Sequence, residues 1–250
     1  MSNIYESDRL LAEYLLFHYG TAGETFPYAI GPVDALDFPA RCASLCFDDG
    51  AAGLHPRARA LDMGCAVGRA TFELARRCES VTGIDFSRRF ITAAIELKKN
   101  GTHWFHKLEE GARTTECTAR VPLDIHRDRI SFETGDAMDL REDLGEFDIV
   151  LAANLLCRLH DPAKFLARLP KLVRAGGRLV ITTPCTWMEE FTPRANWLCS
   201  GNSTTLDGLH HHLDAHFDLA KTLDLPFVIR EHARKFQWTV AQASVWNRKK

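Results

Sequence analysis

The chain has no Cys-x-x-Cys pair, although eight cysteines stand at 42, 46, 65, 78, 117, 157, 185 and 199. That spacing gives no support to a zinc site, and a protein without a metal is expected. Several of these cysteines lie in apolar runs and read as small core residues. A basic surplus is missing too: 31 Lys and Arg face 33 Asp and Glu, for a formal net charge of −2. Nucleic-acid-binding enzymes usually carry a basic excess, so bulk charge favours a small-molecule substrate and no nucleic-acid partner. No apolar run reaches the length of a membrane span, and no signal-peptide pattern opens the chain. These absences set the expectation of a reducing, cytoplasmic setting without membrane contact. Internal repeats and low-complexity tracts are also absent. What remains is 250 residues, 46% hydrophobic and 26% charged. That is enough to bury the core of one large α/β domain with additions.

The hydrophobic pattern starts with an amphipathic helix over Ser7 to Tyr19. Leu10, Leu11, Tyr14, Leu15 and His18 stand at helical spacing and Gly20 is the stop. A loop rich in Gly, Pro and aromatics follows from Thr21 to Asp37. Pro39 suits the first turn of a second helix, to about Phe47. From Arg57 strands alternate with helices. The strands are expected at 58–63, 80–85, 129–134, 147–152 and 178–183, the helices at 67–78, 87–99 and 162–174. Asp161 and Pro162 cap the last helix, and Gly176-Gly177 is read as its end. Alternation of this kind implies a parallel sheet with helices on both faces. The polar interval 100–128 is too long for a plain connection and reads as an insertion, a hairpin or a lid. The tail reads as two runs, Phe227 to Phe236 and Gln237 to Trp246, the second alternating with period 2. The expected division is a helical cap over 1–56 and a core over 57–250, in one structural domain.

The stretch Ala60-Leu61-Asp62-Met63-Gly64-Cys65-Ala66-Val67-Gly68-Arg69 reads as strand, turn and helix start. A dinucleotide-binding loop needs G-x-G-x-x-G. Counted from Gly64, the other two places hold Ala66 and Arg69, which counts against a dehydrogenase. Asp62, Gly64 and Gly68 instead form D-x-G-x-x-x-G. The second strand ends at Asp85, about 20 residues on, where an acid accepts hydrogen bonds from ribose hydroxyls. Phe86 stands beside it. The third strand ends Gly135-Asp136-Ala137, and the fourth runs out at Asn154. Taken singly, an acid after a strand is more often a cap, and a lone Gly-x-x-x-Gly more often packs a helix.

In order, these motifs resemble those of class I S-adenosylmethionine (SAM) methyltransferases. The resemblance implies a Rossmann-like α/β fold: a mostly parallel seven-stranded sheet, a terminal antiparallel hairpin and an N-terminal helical cap. It implies SAM as cofactor and S-adenosylhomocysteine as product. The turn Gly64, Cys65, Ala66 and Gly68 would face the methionine part and Asp62 its amino group. Asp136, with Ala137 behind it, would take the adenine amine. Asn154-Leu155-Leu156-Cys157 lacks the Pro-Pro-Tyr that follows Asn or Asp in methyltransferases of DNA bases and glutamine.

Three further stretches are distinctive: Ile4 to Gly20, Phe38 to Cys42, and Thr186 to Pro193. With Gly31-Pro32 and the cofactor motifs they resemble the methyltransferase module of OvoA-type ovothiol synthases over nearly the whole chain. The resemblance implies N-methylation of the imidazole of 4-mercaptohistidine (5-thiohistidine) to ovothiol A. A separate sulfoxide synthase and lyase would then install the sulfur. Tyr5, Tyr14, Tyr19 and Tyr28 are all of the chain's tyrosines. Tyr28 is the preferred ligand and catalytic candidate, beside Asn154 as orienter of the imidazole. Tyr14 and Tyr19 read equally as packing rings, and Tyr5 as a lid residue. Arg41 is a candidate clamp for a substrate or SAM carboxylate. Glu189 and Glu190 are candidates for a substrate amine, and Trp187, Asn196 and Trp197 for the far wall. His210-His211-His212 with His216 invites a metal reading, but neighbouring residues do not share a helix face. Two alternatives stay open: another small imidazole, thiol or amine as acceptor, and a non-catalytic SAM-binding partner.

Overall fold

A computed structural model describes residues 4–47 and 57–250. The expected boundary at 56/57 borders the stretch 48–56, which lies outside the described residues. Seven strands form one sheet: β1 (Arg59–Met63), β2 (Ser80–Asp85), β5 (Ile130–Thr134), β6 (Phe147–Ala153), β7 (Val173–Thr183), β8 (Phe217–His232) and β9 (Lys235–Arg248). Their order is β5-β2-β1-β6-β7-β9-β8. All pairs from β5 to β7 are parallel, while β9 runs antiparallel to both β7 and β8. The chain leaves β1 outward to β2 and β5, then returns to β6 on the other side of β1. The switch point therefore lies between β1 and β6, where open α/β sheets bind ligands beyond the strand ends. This is the Rossmann-like methyltransferase fold, with helices at its N-terminus.

Local signals place the helices. Ser7 caps α1 (Asp8–Tyr19) by accepting from Leu10 N at 3.2 Å. Ser87 caps α5 (Arg88–Asn100) in the same way, and Gly101 ends it in the left-handed conformation at φ 76°. Asp161 caps α6 (Pro162–Leu172), whose Phe165, Leu166, Leu169 and Leu172 face the core. The remaining helices are α2 (Ala22–Thr25), α3 (Phe38–Leu45), α4 (Arg69–Leu74) and α7 (Thr205–Leu213). Two apolar layers sandwich the sheet. One joins α1, α3, α4 and α5 around Leu15, Phe38, Phe72 and Phe90. The other joins α6 and α7 around Phe165, Leu209 and Trp246. The central strands are buried on both faces and so read as continuous apolar runs.

Three expectations need correcting. The loop 21–37 contains α2, held by a reciprocal cap between Thr21 and Glu24; the Thr-x-x-Glu spacing signals it. The insertion 100–128, by contrast, is one of the forms expected of it, an antiparallel hairpin of β3 (Thr102–Glu110) and β4 (Arg113–Arg120). The tail hairpin turns at 233–234, not after Phe236, and its first strand starts ten residues before Phe227. Gly176-Gly177 does not end α6, which stops at Leu172. A Cβ on Gly177 would meet Asp148 O at 2.9 Å, so this glycine serves close strand approach.

The terminal hairpin overshoots the sheet. Thr183, the last residue of β7, pairs with Gln242, yet β9 starts seven residues earlier, at Lys235. That is roughly 23 Å of strand beyond the sheet's carboxyl edge. The overshoot backs the N-terminal cap. Arg230 donates to Glu24 O at 2.6 Å and pairs with Glu109. Ala233 N donates to Glu109 O at 3.0 Å. Helix α1 packs against β3, β4 and β8 across this edge.

Candidate active site

The strand-to-helix turn is shaped by its backbone. Gly64 and Gly68 take φ values of +72° and +88°. A Cβ on Gly68 would stand 2.6 Å from the Phe132 ring. Between them Ala66, at the place where a dinucleotide loop has glycine, also takes a positive φ of 48°. An L-residue held there costs about 1–2 kcal/mol. Hydrogen bonds hold the turn in place. Gly64 N and Cys65 N both donate to Ile84 O, at 2.8 and 3.1 Å, and Ala66 N donates to Asp85 Oδ2 at 2.9 Å. Tyr19 supports the turn from behind by donating to Val67 O at 2.8 Å.

Three acids stand at the ends of β1, β2 and β5, and they differ in exposure. Asp62 is 1% exposed and accepts from Thr71 Oγ1 at 2.6 Å. Burial pushes its carboxyl up to about 7, against the Thr71 hydrogen bond and with help from the Asp85 charge. Asp85 is half-buried. Burial raises its carboxyl too, while the N–H groups of Ser87 and Ala66 pull it back. Each of its oxygens takes one of these bonds, so lone pairs remain for a ligand. Phe86 next to it is 64% exposed, an apolar ring facing outward at a strand end. Asp136 is half-buried, with Oδ1 accepting from Met138 N at 2.8 Å, and Ala137 is buried behind it.

These residues suit a nucleoside with a cationic tail. Acceptors with spare lone pairs fit vicinal hydroxyls and an amine, and an exposed ring fits a base. The less buried strand-end acids, Asp85 and Asp136, would repel a pyrophosphate but favour a sulfonium or ammonium. Asp85, Phe86, Asp136 and the Gly64–Gly68 turn are the residues that would hold it.

The acceptor side of the cleft comes from elsewhere in the chain. The turn before α1 lies over the end of β2: Ser87 Oγ donates to Tyr5 O at 3.1 Å, and Arg88 N to Glu6 Oε1 at 3.0 Å. The Tyr5 ring meets Tyr14 and Phe90 edge-on, at 6.2 and 5.9 Å. Tyr14 and Phe90 lie 4.7 Å apart. Burial raises both tyrosine hydroxyls, Asp85 adds to the rise, and Arg158 opposes it. Tyr5 and Tyr14 are therefore brought to the cofactor side. Asn154 ends β6 at a positive φ of 53°; its N–H donates to Thr182 O at 2.8 Å, and its Oδ1 accepts from Thr182 Oγ1 at 3.0 Å.

Other sequence candidates go to different places. Tyr28 donates to Ala233 O at 2.7 Å and packs on Phe26 and Phe236, at the tip of the terminal hairpin. Arg41 donates to Leu36 O at 2.9 Å and to Pro226 O, tying α3 to β8. Tyr19 serves the turn. Trp187 donates to Thr205 Oγ1 at 3.0 Å and stacks on Trp197, which donates to Thr192 O. Asn196 donates to His160 O at 2.9 Å. Glu189 and Glu190 are exposed. Two residues of the site escape sequence reading. Thr71, nine residues after Asp62, carries no motif. Arg158 follows β6 in a short 3-10 turn, Leu156–Arg158, and looks like an ordinary surface arginine until its neighbours are seen.

Comparison with known proteins agrees with this geometry. Residues 61–181, from β1 to β7, match the family model described as methyltransferase domain. The magnesium-protoporphyrin O-methyltransferase of Rhodobacter capsulatus is 30% identical over 148 residues, 55% of this chain and 54% of that protein. The ubiquinone biosynthesis O-methyltransferase of Aeromonas salmonicida is 30% identical over 50% of this chain and 42% of its own length. The chain thus spans about half the length of the curated relatives it matches. The N-methyltransferase NodS of Bradyrhizobium japonicum, solved with S-adenosylhomocysteine, superposes over 96% of this chain and 99% of its own. Its TM-score is 0.56 at 16% identity. The [4+2]-cyclase SpnF shares the fold as well, with a TM-score of 0.54 at 17% identity over 84% of this chain and 80% of its own. The core between β1 and β7 matches a methyltransferase domain by sequence. The fold around it is also that of a protein whose name states a different reaction, so activity must be argued from the site.

Proposed function

We propose that this chain is a SAM-dependent methyltransferase. Its acceptor is an imidazole nitrogen of 4-mercaptohistidine, and its products are ovothiol A and S-adenosylhomocysteine. The observation that carries the cofactor half is that the Gly64–Gly68 turn, Asp85 and Asp136 lie side by side at the carboxyl ends of β1, β2 and β5. The acceptor half rests on the resemblance of Ile4 to Gly20 and Thr186 to Pro193 to ovothiol methyltransferase modules. The placement of Tyr5, Tyr14 and Asn154 beside the cofactor residues supports it. A separate sulfoxide synthase and lyase would supply the thiolated imidazole. The segment before β1 acts as the cap of the cleft.

When bound, SAM supplies a methyl group on a sulfonium cation. Asp85 holds the ribose hydroxyls and Asp136 the adenine amine. The cap excludes water: Tyr5, Tyr14 and Phe90 form an aromatic wall over the strand ends, where charge neutralisation is favoured over bulk water. An imidazole nitrogen is neutral and nucleophilic at pH 7, because its ordinary pKa is about 6.5. A strong base is therefore not required. The work left to the chain is placing that lone pair about 3 Å from the methyl carbon.

The test is direct. The protein is incubated with SAM and 5-thiohistidine, histidine or ergothioneine, and product mass and S-adenosylhomocysteine are followed. Methylated thiohistidine, with little product from the others, is the expected result. Absence of methylated thiohistidine rules out the acceptor assignment. Absence of SAM binding by calorimetry rules out the cofactor assignment as well.

A further inference from the structure

Arg158 sits four residues past Asn154, at the open end of β6. Its Nη1 donates to Cys157 O at 3.1 Å, Cys157 Sγ at 3.4 Å and Thr186 O at 3.4 Å. Its guanidinium lies 4.7 Å from the centre of the Phe191 ring and hydrogen-bonds Tyr5. It thus touches all three parts of the acceptor side: the N-terminal turn, the end of β6 and the segment after β7. Yet no ion pair among the described residues involves it, so none of their carboxylates neutralises it. A guanidinium carries five N–H donors in a planar fork. The acceptors in reach here are two carbonyls, a thiol and a phenol oxygen, none fully charged. A half-buried cation of this kind is stabilised by an anion placed in its fork. The carboxylate nearest in chemistry, Asp85, is already held by Ala66 and Ser87.

We propose that Arg158 is the anion anchor of the acceptor subsite, so that the acceptor is a small molecule bearing a carboxylate or thiolate. The proposal rests on the methyltransferase reading and adds a specificity-determining residue to it. The anchor sits on the aromatic side, between Tyr5 and Phe191, so the anion is bound beside a flat apolar surface. An acceptor with a planar ring and a negative substituent matches both features. The Tyr5 hydroxyl, shared with Arg158, links closure of the N-terminal turn to filling of this position.

The test uses the full chain, its Arg158→Gln and Arg158→Lys variants, and calorimetric titration. S-adenosylhomocysteine is titrated first, then 5-thiohistidine, histidine and histamine into the loaded protein. The three proteins are expected to bind S-adenosylhomocysteine within about twofold of one another. Wild type should bind 5-thiohistidine and histidine about 10- to 100-fold more tightly than histamine, which lacks the carboxylate. Arg158→Gln should erase that difference, and Arg158→Lys should restore part of it. Equal affinity for histamine, or no binding of any of the three, overturns the anchor. So does an equal loss of S-adenosylhomocysteine affinity in Arg158→Gln, which would place Arg158 on the cofactor carboxylate. Failure of wild type to bind S-adenosylhomocysteine overturns the methyltransferase reading instead, and the anchor falls with it.

Discussion

The two sides of the cleft are made of different material. The cofactor side is backbone: a turn with three positive φ values, two N–H groups on one carbonyl, and Asp85 fastened by Ala66 and Ser87. The acceptor side is side chain: Tyr5 and Tyr14 from the N-terminal segment and Arg158 from beyond β6, two distant parts of the sequence. Backbone geometry fixes a ligand's outline and tolerates few residue types. Side-chain walls can be refilled without refolding the sheet. One fold can therefore keep its cofactor while changing what receives the methyl group.

The largest effect should come from breaking the link between the turn and β2. Asp85→Ala removes the acceptor of Ala66 N and, on the proposed reading, that of the ribose as well. S-adenosylhomocysteine affinity should fall roughly 10- to 100-fold, read by calorimetry. Unchanged affinity would put the ribose elsewhere. Next comes the buried acid below the turn. Folded, Asp62 keeps its proton up to about pH 7; unfolded, it loses it near pH 4. Its contribution to stability is full below about pH 4 and is lost as pH rises toward 7. Asp62→Asn should therefore gain in melting temperature relative to wild type between pH 5 and pH 8; a constant difference would refute the shift. Smaller still is Tyr28→Phe, which loses the hydrogen bond to Ala233. It should cost about 1 kcal/mol of stability in urea denaturation and leave acceptor KM alone. A raised KM would return Tyr28 to the acceptor side. The smallest effect belongs to Ala66→Gly. Relief of the positive φ is partly offset by the freer unfolded chain, for a net gain below about 1 kcal/mol.

Legibility followed the same division. The strands, the turn and the order Asp62, Gly64, Gly68, Asp85, Asp136 could be read because backbone needs leave glycines and acids at fixed spacings. The terminal hairpin was half legible. The alternation of Trp238, Val240 and Gln242 showed β9, but the turn at 233–234 lacks glycine, so its place was missed. The acceptor side was hardest. Tyr28 and Tyr5 look alike in sequence, and only tertiary packing sends one to Ala233 and the other to Arg158. Arg41 was read as a clamp, yet two backbone carbonyls occupy its guanidinium. Arg158 carries no signal in the sequence, since its meaning lies in having no ion pair among the described residues.

The overshooting hairpin has a kinetic consequence. The cap is moored to it at several points: Tyr28 to Ala233, Arg230 to Glu24, and Arg41 to Pro226. A cap held this way does not swing as a rigid door. Among the described residues of the cap, the turn ahead of Ser7 is instead fastened through Tyr5 and Glu6, by bonds to Ser87, Arg88 and Arg158 and by the rings of Tyr14 and Phe90. Passage of ligands would then call for the unlatching of this short turn, and turnover would be paced by bonds that take no part in the methyl transfer itself.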